Sequence, residues 1–170
     1  MIKGEKVYLR PILKRDITLL NQWKNDEETF KNLGGGFMPV SIDQQENWIE
    51  SMIDNTGNNK RYIICDNEND PVGMVGLYGI NWIHRTCEIG LYIGNKNARG
   101  KGYAKESCRL IEQFAKDYLN LRKIKLNVVY DNASATYLWE SLGYEKVGEF
   151  KDERFIKGKY KNVLLMEKFI

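Results

Sequence analysis

Arg99-Gly100-Lys101-Gly102-Tyr103-Ala104, in the second half of the chain, has the makeup of an anion-binding loop. Upstream of it, Cys87-Glu88-Ile89-Gly90-Leu91-Tyr92-Ile93 carries apolar and aromatic weight without a proline, as a buried strand does. Downstream, Ala104, Cys108, Ile111, Ala115 and Tyr118 are spaced four, three, four and three apart, which is one face of a helix. Asn95 to Gly102, between the two, is too polar and glycine-rich to continue the strand. Strand, glycine loop and helix start together aim free backbone N–H groups and the positive end of a helix dipole at one spot, which suits a phosphate. Glu88 lies on the strand leading to that spot and is the natural candidate for a general base. Its neighbours are apolar, so burial is expected, with exposure or a pairing to Arg85 as the alternative. His84 is the other candidate base, although a lone histidine at a turn more often serves structure.

Two familiar phosphate loops do not fit. An NTPase loop needs Gly-Lys-Ser/Thr, and Tyr103 follows Gly102; the dinucleotide fingerprint lacks its third glycine, since Lys105 stands there. Arg99 to Ala104 instead resembles the Q/R-x-x-G-x-G/A signature of the GNAT superfamily of acetyl-CoA-dependent N-acetyltransferases. A second segment, Asn132-Ala133-Ser134-Ala135-Thr136-Tyr137-Leu138-Trp139-Glu140-Ser141-Leu142-Gly143-Tyr144, is similar to that family's N-x-x-A-x-x-x-Y-x-x-x-G-F run. Asn132, Ala135, Gly143 and the aromatic at 144 match in register. The turn at Ile80 to Arg85 and the ending around Phe155 to Asn162 resemble the branch holding ribosomal-protein and polyamine N-acetyltransferases.

The resemblance implies acetyl-CoA as cosubstrate and a primary amine as acceptor: a polyamine, an amino sugar or a protein N-terminus. It implies that the backbone of Arg99, Gly100, Lys101, Gly102, Tyr103 and Ala104 grips the pyrophosphate of coenzyme A. The strand end at Leu91, Tyr92 and Ile93 would pair with the pantetheine arm and offer an amide to the acetyl oxygen. Asn132 would cap its helix and touch the cofactor, or cap it only. The chain departs from the family at Trp139, where a tyrosine usually stands as candidate acid for the departing sulfur. An indole N–H donates a hydrogen bond but keeps its proton near neutral pH. A catalytically weak acetyl-CoA-binding sensor or scaffold is therefore the alternative to an enzyme.

The remaining elements must place these residues. A strand is expected over 7–12 and a helix over 16–24 capped by Asp16, followed by an irregular stretch, 25–41, with three consecutive glycines. A second helix capped by Ser41 follows, then strands over 62–65, 72–83 and from 87, joined by tight turns. After the helix over 103–118 come a strand over 123–130, a helix over 133–142 ended by Gly143, and a hairpin turning at Lys157-Gly158. This is one mixed α/β domain spanning 1–170, with a mostly antiparallel sheet flanked by helices, also the element order of a GNAT fold.

Composition narrows the function classes. Net charge is only +3, from 26 basic and 23 acidic residues with no basic run, so nucleic acid is not an expected partner. The chain starts without the continuous apolar stretch of a secretory leader and nowhere offers the ~18 apolar residues of a membrane span. Cys65, Cys87 and Cys108 are odd in number and set among apolar residues, which reads as reduced thiols in a cytoplasmic protein. No metal-ligand spacing exists beside the single histidine, so no metal is expected. On the acceptor side, Asp26, Glu27, Glu28, Phe30 and Phe37, with Asp152 and Glu153 opposite, would suit a cationic amine, or the acidic loop is simply solvated. Pairing of exposed strands could produce a homodimer.

Overall fold

A computed structural model describes all 170 residues. In chain order the elements are β1 (Ile2–Lys3), β2 (Val7–Pro11), α1 (Ile17–Lys24), α2 (Glu27–Phe30) and α3 (Ile42–Ile53). Then come β3 (Lys60–Asp66), β4 (Pro71–Asn81), β5 (Thr86–Ile93), α4 (Tyr103–Asp117) and β6 (Lys123–Val129). The chain closes with α5 (Ala133–Ser141), β7 (Glu145–Ile156) and β8 (Lys159–Phe169). All eight strands join one sheet in the order β1-β2-β3-β4-β5-β6-β8-β7. Every neighbouring pair is antiparallel except β5 and β6. The mixed α/β expectation therefore holds, with helices on both faces.

Strand alternation sends successive side chains to opposite faces, and each face is apolar. One carries Val7, Leu9, Cys87, Ile89, Ile124 and Leu126, packed against Cys108, Ile111 and Ala115 of α4 and Trp139 of α5. The other carries Ile63, Cys65 and Met74, packed against Leu20 and Trp23 of α1 and Ile49 of α3. The three cysteines are buried and free, and burial pushes the Cys87 thiol up to about 12, which removes it as a nucleophile near neutral pH.

The one parallel pair is short. Thr86, Cys87 and Glu88 pair with Lys123, Ile124 and Lys125, and there the contact between β5 and β6 ends. β5 continues along β4 as far as Ile93, while β6 continues along β8 as far as Val129, so the sheet splits between them.

Several local expectations are corrected. The stretch over 25–41 is not wholly irregular: Asp26 accepts hydrogen bonds from the Thr29 N–H and hydroxyl, 3.0 and 2.6 Å, and starts the one-turn α2. Asp16 does not cap α1 with its side chain, because that carboxylate is taken by Arg10 and the Leu13 N–H. Ser41 does cap α3, accepting from the Gln44 N–H at 3.1 Å. The β7–β8 turn has positive φ at both Lys157 (49°) and Gly158 (78°), the pattern that suits the twist of a two-residue hairpin.

Candidate active site

Where β5 and β6 part, a cleft of about 1560 Å³ opens through the sheet. The backbone of β5 keeps β4 on one side there and loses β6 on the other. A Cβ on Gly73 of β4 would lie 2.2 Å from the Tyr92 carbonyl oxygen, so the Tyr92 backbone faces β4. The Ile93 carbonyl faces away from β4 and accepts from Nε and Nη2 of Arg99 at 3.3 and 3.1 Å. Alternation places the Leu91 backbone on the same side as that of Ile93, toward the split, where no strand follows to pair with it. The strand end expected at Leu91, Tyr92 and Ile93 lines the cleft. The Tyr92 side chain itself is committed to packing, 4.9 Å from the Phe30 ring and 5.9 Å from the Trp23 ring.

The glycine loop ends at the start of α4. Gly100 and Gly102 have φ of 75° and 82°, a conformation that costs a side-chain-bearing residue and costs glycine little. Gly102 occupies the cap position without a side chain to offer, and the first backward bond of the helix runs from the Glu106 N–H to the Gly102 carbonyl. The N–H groups of Tyr103, Ala104 and Lys105 are thus left for an outside acceptor. Glu106, the acid of this first turn, is turned away: it accepts from the N–H groups of Glu5, Lys6 and Val7 at 3.2, 2.7 and 2.7 Å. No carboxylate there competes with an incoming anion. Arg99 serves the loop through its side chain as a brace, reaching the Ile93 carbonyl and the Thr29 hydroxyl (3.0 Å). Lys101 is exposed and lies outside the cleft lining, whereas Lys105 lines it.

The wall across the split belongs to β6 and α5. Asn132 caps α5, accepting from the Ala135 N–H at 3.4 Å, and also lines the cleft. Trp139 is only 6% exposed and packs edge-on to Tyr144, with ring centroids 5.3 Å apart. Tyr144 Oη is the one buried side-chain polar atom without a partner, so the unbonded indole N–H of Trp139 is not sealed in the core. Tyr137 sits exposed at the cleft rim.

Glu88 lines the cleft, exposed rather than buried, and has no ion-pair partner. The expectation of burial fails because its apolar sequence neighbours, Cys87 and Ile89, point to the α4 face while Glu88 points to the other. Nor does it pair with Arg85, whose guanidinium binds the carbonyl and side chain of Asn120 at 2.7 and 3.0 Å. His84 is exposed and outside the cleft. Directly across β4 from Glu88 stands Tyr78, whose ring runs over Gly76 so closely that a Cβ there would come within 2.7 Å. Burial pushes the Tyr78 hydroxyl up, against a smaller downward pull from Arg61, whose guanidinium lies 5.2 Å from the ring centroid.

Of the expected acceptor-side residues, Glu28 and Phe30 line the cleft, and Glu27 and Phe37 do not. Glu27 faces Lys157 instead, at 3.3 Å, and Phe37 lies exposed on the loop to α3. Asp152 and Glu153 are also outside the cleft, and their neighbour Arg154 enters it, donating to the Asn32 carbonyl at 2.9 Å. Lys24, Trp48, Arg61, Tyr78 and Arg154 are lining residues that sequence reading missed. They stand singly on α1, α3, β3, β4 and β7, so no spacing could have grouped them.

Comparison with known proteins gives this geometry a context. Residues 6–145 match the family model described as an acetyltransferase (GNAT) domain. The chain is 34% identical over 107 residues to a spermidine N(1)-acetyltransferase of Vibrio cholerae, a match covering 63% of this chain and 61% of that protein. It is 28% identical over 167 residues to the spermidine N(1)-acetyltransferase of Escherichia coli, covering 98% of this chain and 87% of that protein. The crystal structure of spermidine N-acetyltransferase from Vibrio cholerae with CoA and spermine superimposes with a TM-score of 0.89. That match has 27% identity and covers 98% of this chain and 96% of the other.

Proposed function

The chain belongs to the GNAT acetyltransferase family and transfers an acetyl group from acetyl-CoA to a small-molecule amine, and we propose that it does so in the β5–β6 split, with Glu88 as the base. The observation that carries this reading is a single continuous cleft holding the free amides of α4 at one end and an unpaired carboxylate on β5 further along. In this reading the N–H groups of Tyr103, Ala104 and Lys105 and the backbone of the two left-handed glycines hold the pyrophosphate of coenzyme A. The pantetheine arm completes the sheet along Leu91 and Ile93, filling the place that β6 leaves, and an N–H of this strand end polarises the acetyl oxygen. A primary amine of pKa ~10 arrives as an ammonium, and Glu88, directly or through a water, takes one proton. The amine nitrogen then forms a bond to the thioester carbon, the C–S bond breaks, and the sulfur leaves with its electron pair as a thiolate. A second proton passes from nitrogen to solvent, and the thiolate is protonated by water.

The cofactor half of this reading is tested with Ala104→Asp. The substitution places an acid in the first turn of α4, where a helix accepts it, so the fold is retained. It also places a negative charge among the amides assigned to the pyrophosphate. The expected result is an acetyl-CoA Kd raised about ten- to hundredfold by the lost charge-assisted bonds. Calorimetric titration showing unchanged affinity would place the pyrophosphate elsewhere.

Trp139 lines the cleft, and in this reading it meets the thioester end of the cofactor with no acidic proton to give. Trp139→Tyr is expected to raise kcat about tenfold over Trp139→Phe, a control that makes a similar volume change without a hydroxyl. That gain lies below the ~10²–10⁴ of general acid catalysis because a thiol of pKa ~8.5 departs tolerably unaided. Equal kcat for the two variants would show that no acid is missing.

A further inference from the structure

The cleft carries more positive charge than transfer to a polyamine calls for. Six cationic side chains line it, Lys24, Lys31, Arg61, Arg99, Lys105 and Arg154, against two carboxylates, Glu28 and Glu88. Arg99 is occupied as the brace of the loop, and Lys105 stands at the start of α4, so the acceptor side holds the other four.

The acidic run that seemed suited to a cation is answered by the chain's own lysines. Asp26 pairs with Lys96 at 3.3 Å and Glu27 with Lys157 at 3.3 Å. Glu28 pairs with Lys31 at 3.1 Å and with Lys157 at 3.9 Å. Lys24, Arg61 and Arg154 remain, and none of them has a carboxylate partner. The Lys24 ammonium lies over the rings of Phe30 and Trp48, at 5.1 and 5.9 Å. Arg61 lies against Tyr78 and donates to the Ser51 carbonyl at 3.2 Å. Arg154, half-buried, donates to the Asn32 carbonyl, and burial pushes its guanidinium pKa down. Aromatic faces and carbonyls hold these cations in place without neutralising them.

The acceptor side therefore presents one free carboxylate, Glu88, and three free cations. We propose that the acceptor is a small amine that also carries an anionic group, a phosphate or a carboxylate, bound among Arg61, Arg154 and Lys24 while its amine lies at Glu88. This rests on the acetyl-transfer reading of the cleft. A polyamine offers two or more ammonium groups and no anion, so three unneutralised cations along the wall repel it. The guanidinium groups suit phosphate and carboxylate alike, because both accept the planar two-pronged fork.

The test measures kcat/KM by free-thiol release from acetyl-CoA with four acceptors: an amino sugar, its phosphate ester, a dipeptide with a free carboxylate, and spermidine. The phosphate ester or the dipeptide should exceed the amino sugar without an anionic group by at least about tenfold, the scale of one charge-assisted hydrogen bond, and spermidine should be the poorest. Which of the two anionic acceptors wins identifies the group. Arg61→Gln and Arg154→Gln should each lower kcat/KM for that acceptor about ten- to hundredfold, chiefly through KM, and by much less for the amino sugar that lacks the anionic group. Lys24→Met, which keeps the apolar stem, should act in the same direction, and KM for the anionic acceptor should rise with salt. Preference for spermidine, or equal losses on acceptors with and without the anionic group, would overturn the anion site and leave acetyl transfer in this cleft standing. Amine-dependent release with none of the four would overturn the reading of the cleft itself.

Discussion

Glu88→Gln should lower kcat by about 10²–10⁴, the usual worth of a positioned base, while leaving acetyl-CoA affinity within about twofold. The substitution preserves shape and removes only the ability to accept a proton. Glu88 has no salt bridge, so no structural pairing is lost with its charge, and the site assigned to the pyrophosphate belongs to α4 rather than to the strand carrying Glu88. The variant should also show a distinct pH profile. Without a base, only amine already deprotonated in solution reacts, so the residual rate should climb about tenfold per pH unit until the amine pKa of ~10 is reached. Single-turnover acetyl transfer across pH, with calorimetric Kd values at one pH, checks both halves. A loss below about threefold with an unaltered pH profile would remove Glu88 from the chemistry and move attention to a water held elsewhere in the cleft.

The motifs were legible because their meaning is local. A loop with glycines at 100 and 102, before a helix whose first turn lacks a side-chain cap, suits an anion for reasons contained in those few residues. The departure at Trp139 was visible for the same reason. Glu88 was legible as a carboxylate on a central strand, but its exposure was not: the apolar residues flanking it in sequence belong to the opposite face of the sheet. The ion pairs of the acidic run at 26–28 were not legible, because two of its partners, Lys96 and Lys157, lie far along the chain and arrive only on folding. α2 escaped notice because four residues are too few to show a helical period, and only the cap at Asp26 announces it. The cations at 24, 61 and 154 gain meaning only as a set, assembled from α1, β3 and β7 by the sheet order.

Asp16→Ala should destabilise the fold by about 3–5 kcal/mol, because it leaves the buried Arg10 charge without its partner. Arg10 and Asp16 are 8% and 5% exposed and meet through two parallel bonds of 2.8 Å each, with the Leu13 N–H donating a third bond of 2.8 Å to the carboxylate. Burial alone would push Asp16 up; the hydrogen bonds from Arg10 and Leu13 and the Arg10 charge outweigh it and hold the carboxyl below its ordinary value. A depressed carboxyl contributes stability that is present above the unfolded value of ~3.9 and lost as pH falls through the folded value. The gap between wild type and variant, read by urea unfolding, should therefore be widest near pH 7 and narrow steadily below about pH 4. Function should follow stability here, because Asp16 immediately precedes α1, and α1 sits directly on the end of β5. A Cβ on Gly94 would lie 2.3 Å from the Trp23 ring, so β5 and α1 meet there with no room to spare. Lys24, the last residue of α1, lines the acceptor side. A variant with a loosened α1 should thus raise KM for the acceptor before it changes acetyl-CoA affinity, whose loop is braced separately through Arg99 to Ile93 and Thr29. Replacing both partners, Arg10→Met with Asp16→Leu, removes the orphaned charge and should recover most of the stability. If the double variant is as unstable as Asp16→Ala, the loss lies in the bond to Leu13 and the start of α1 rather than in the buried arginine.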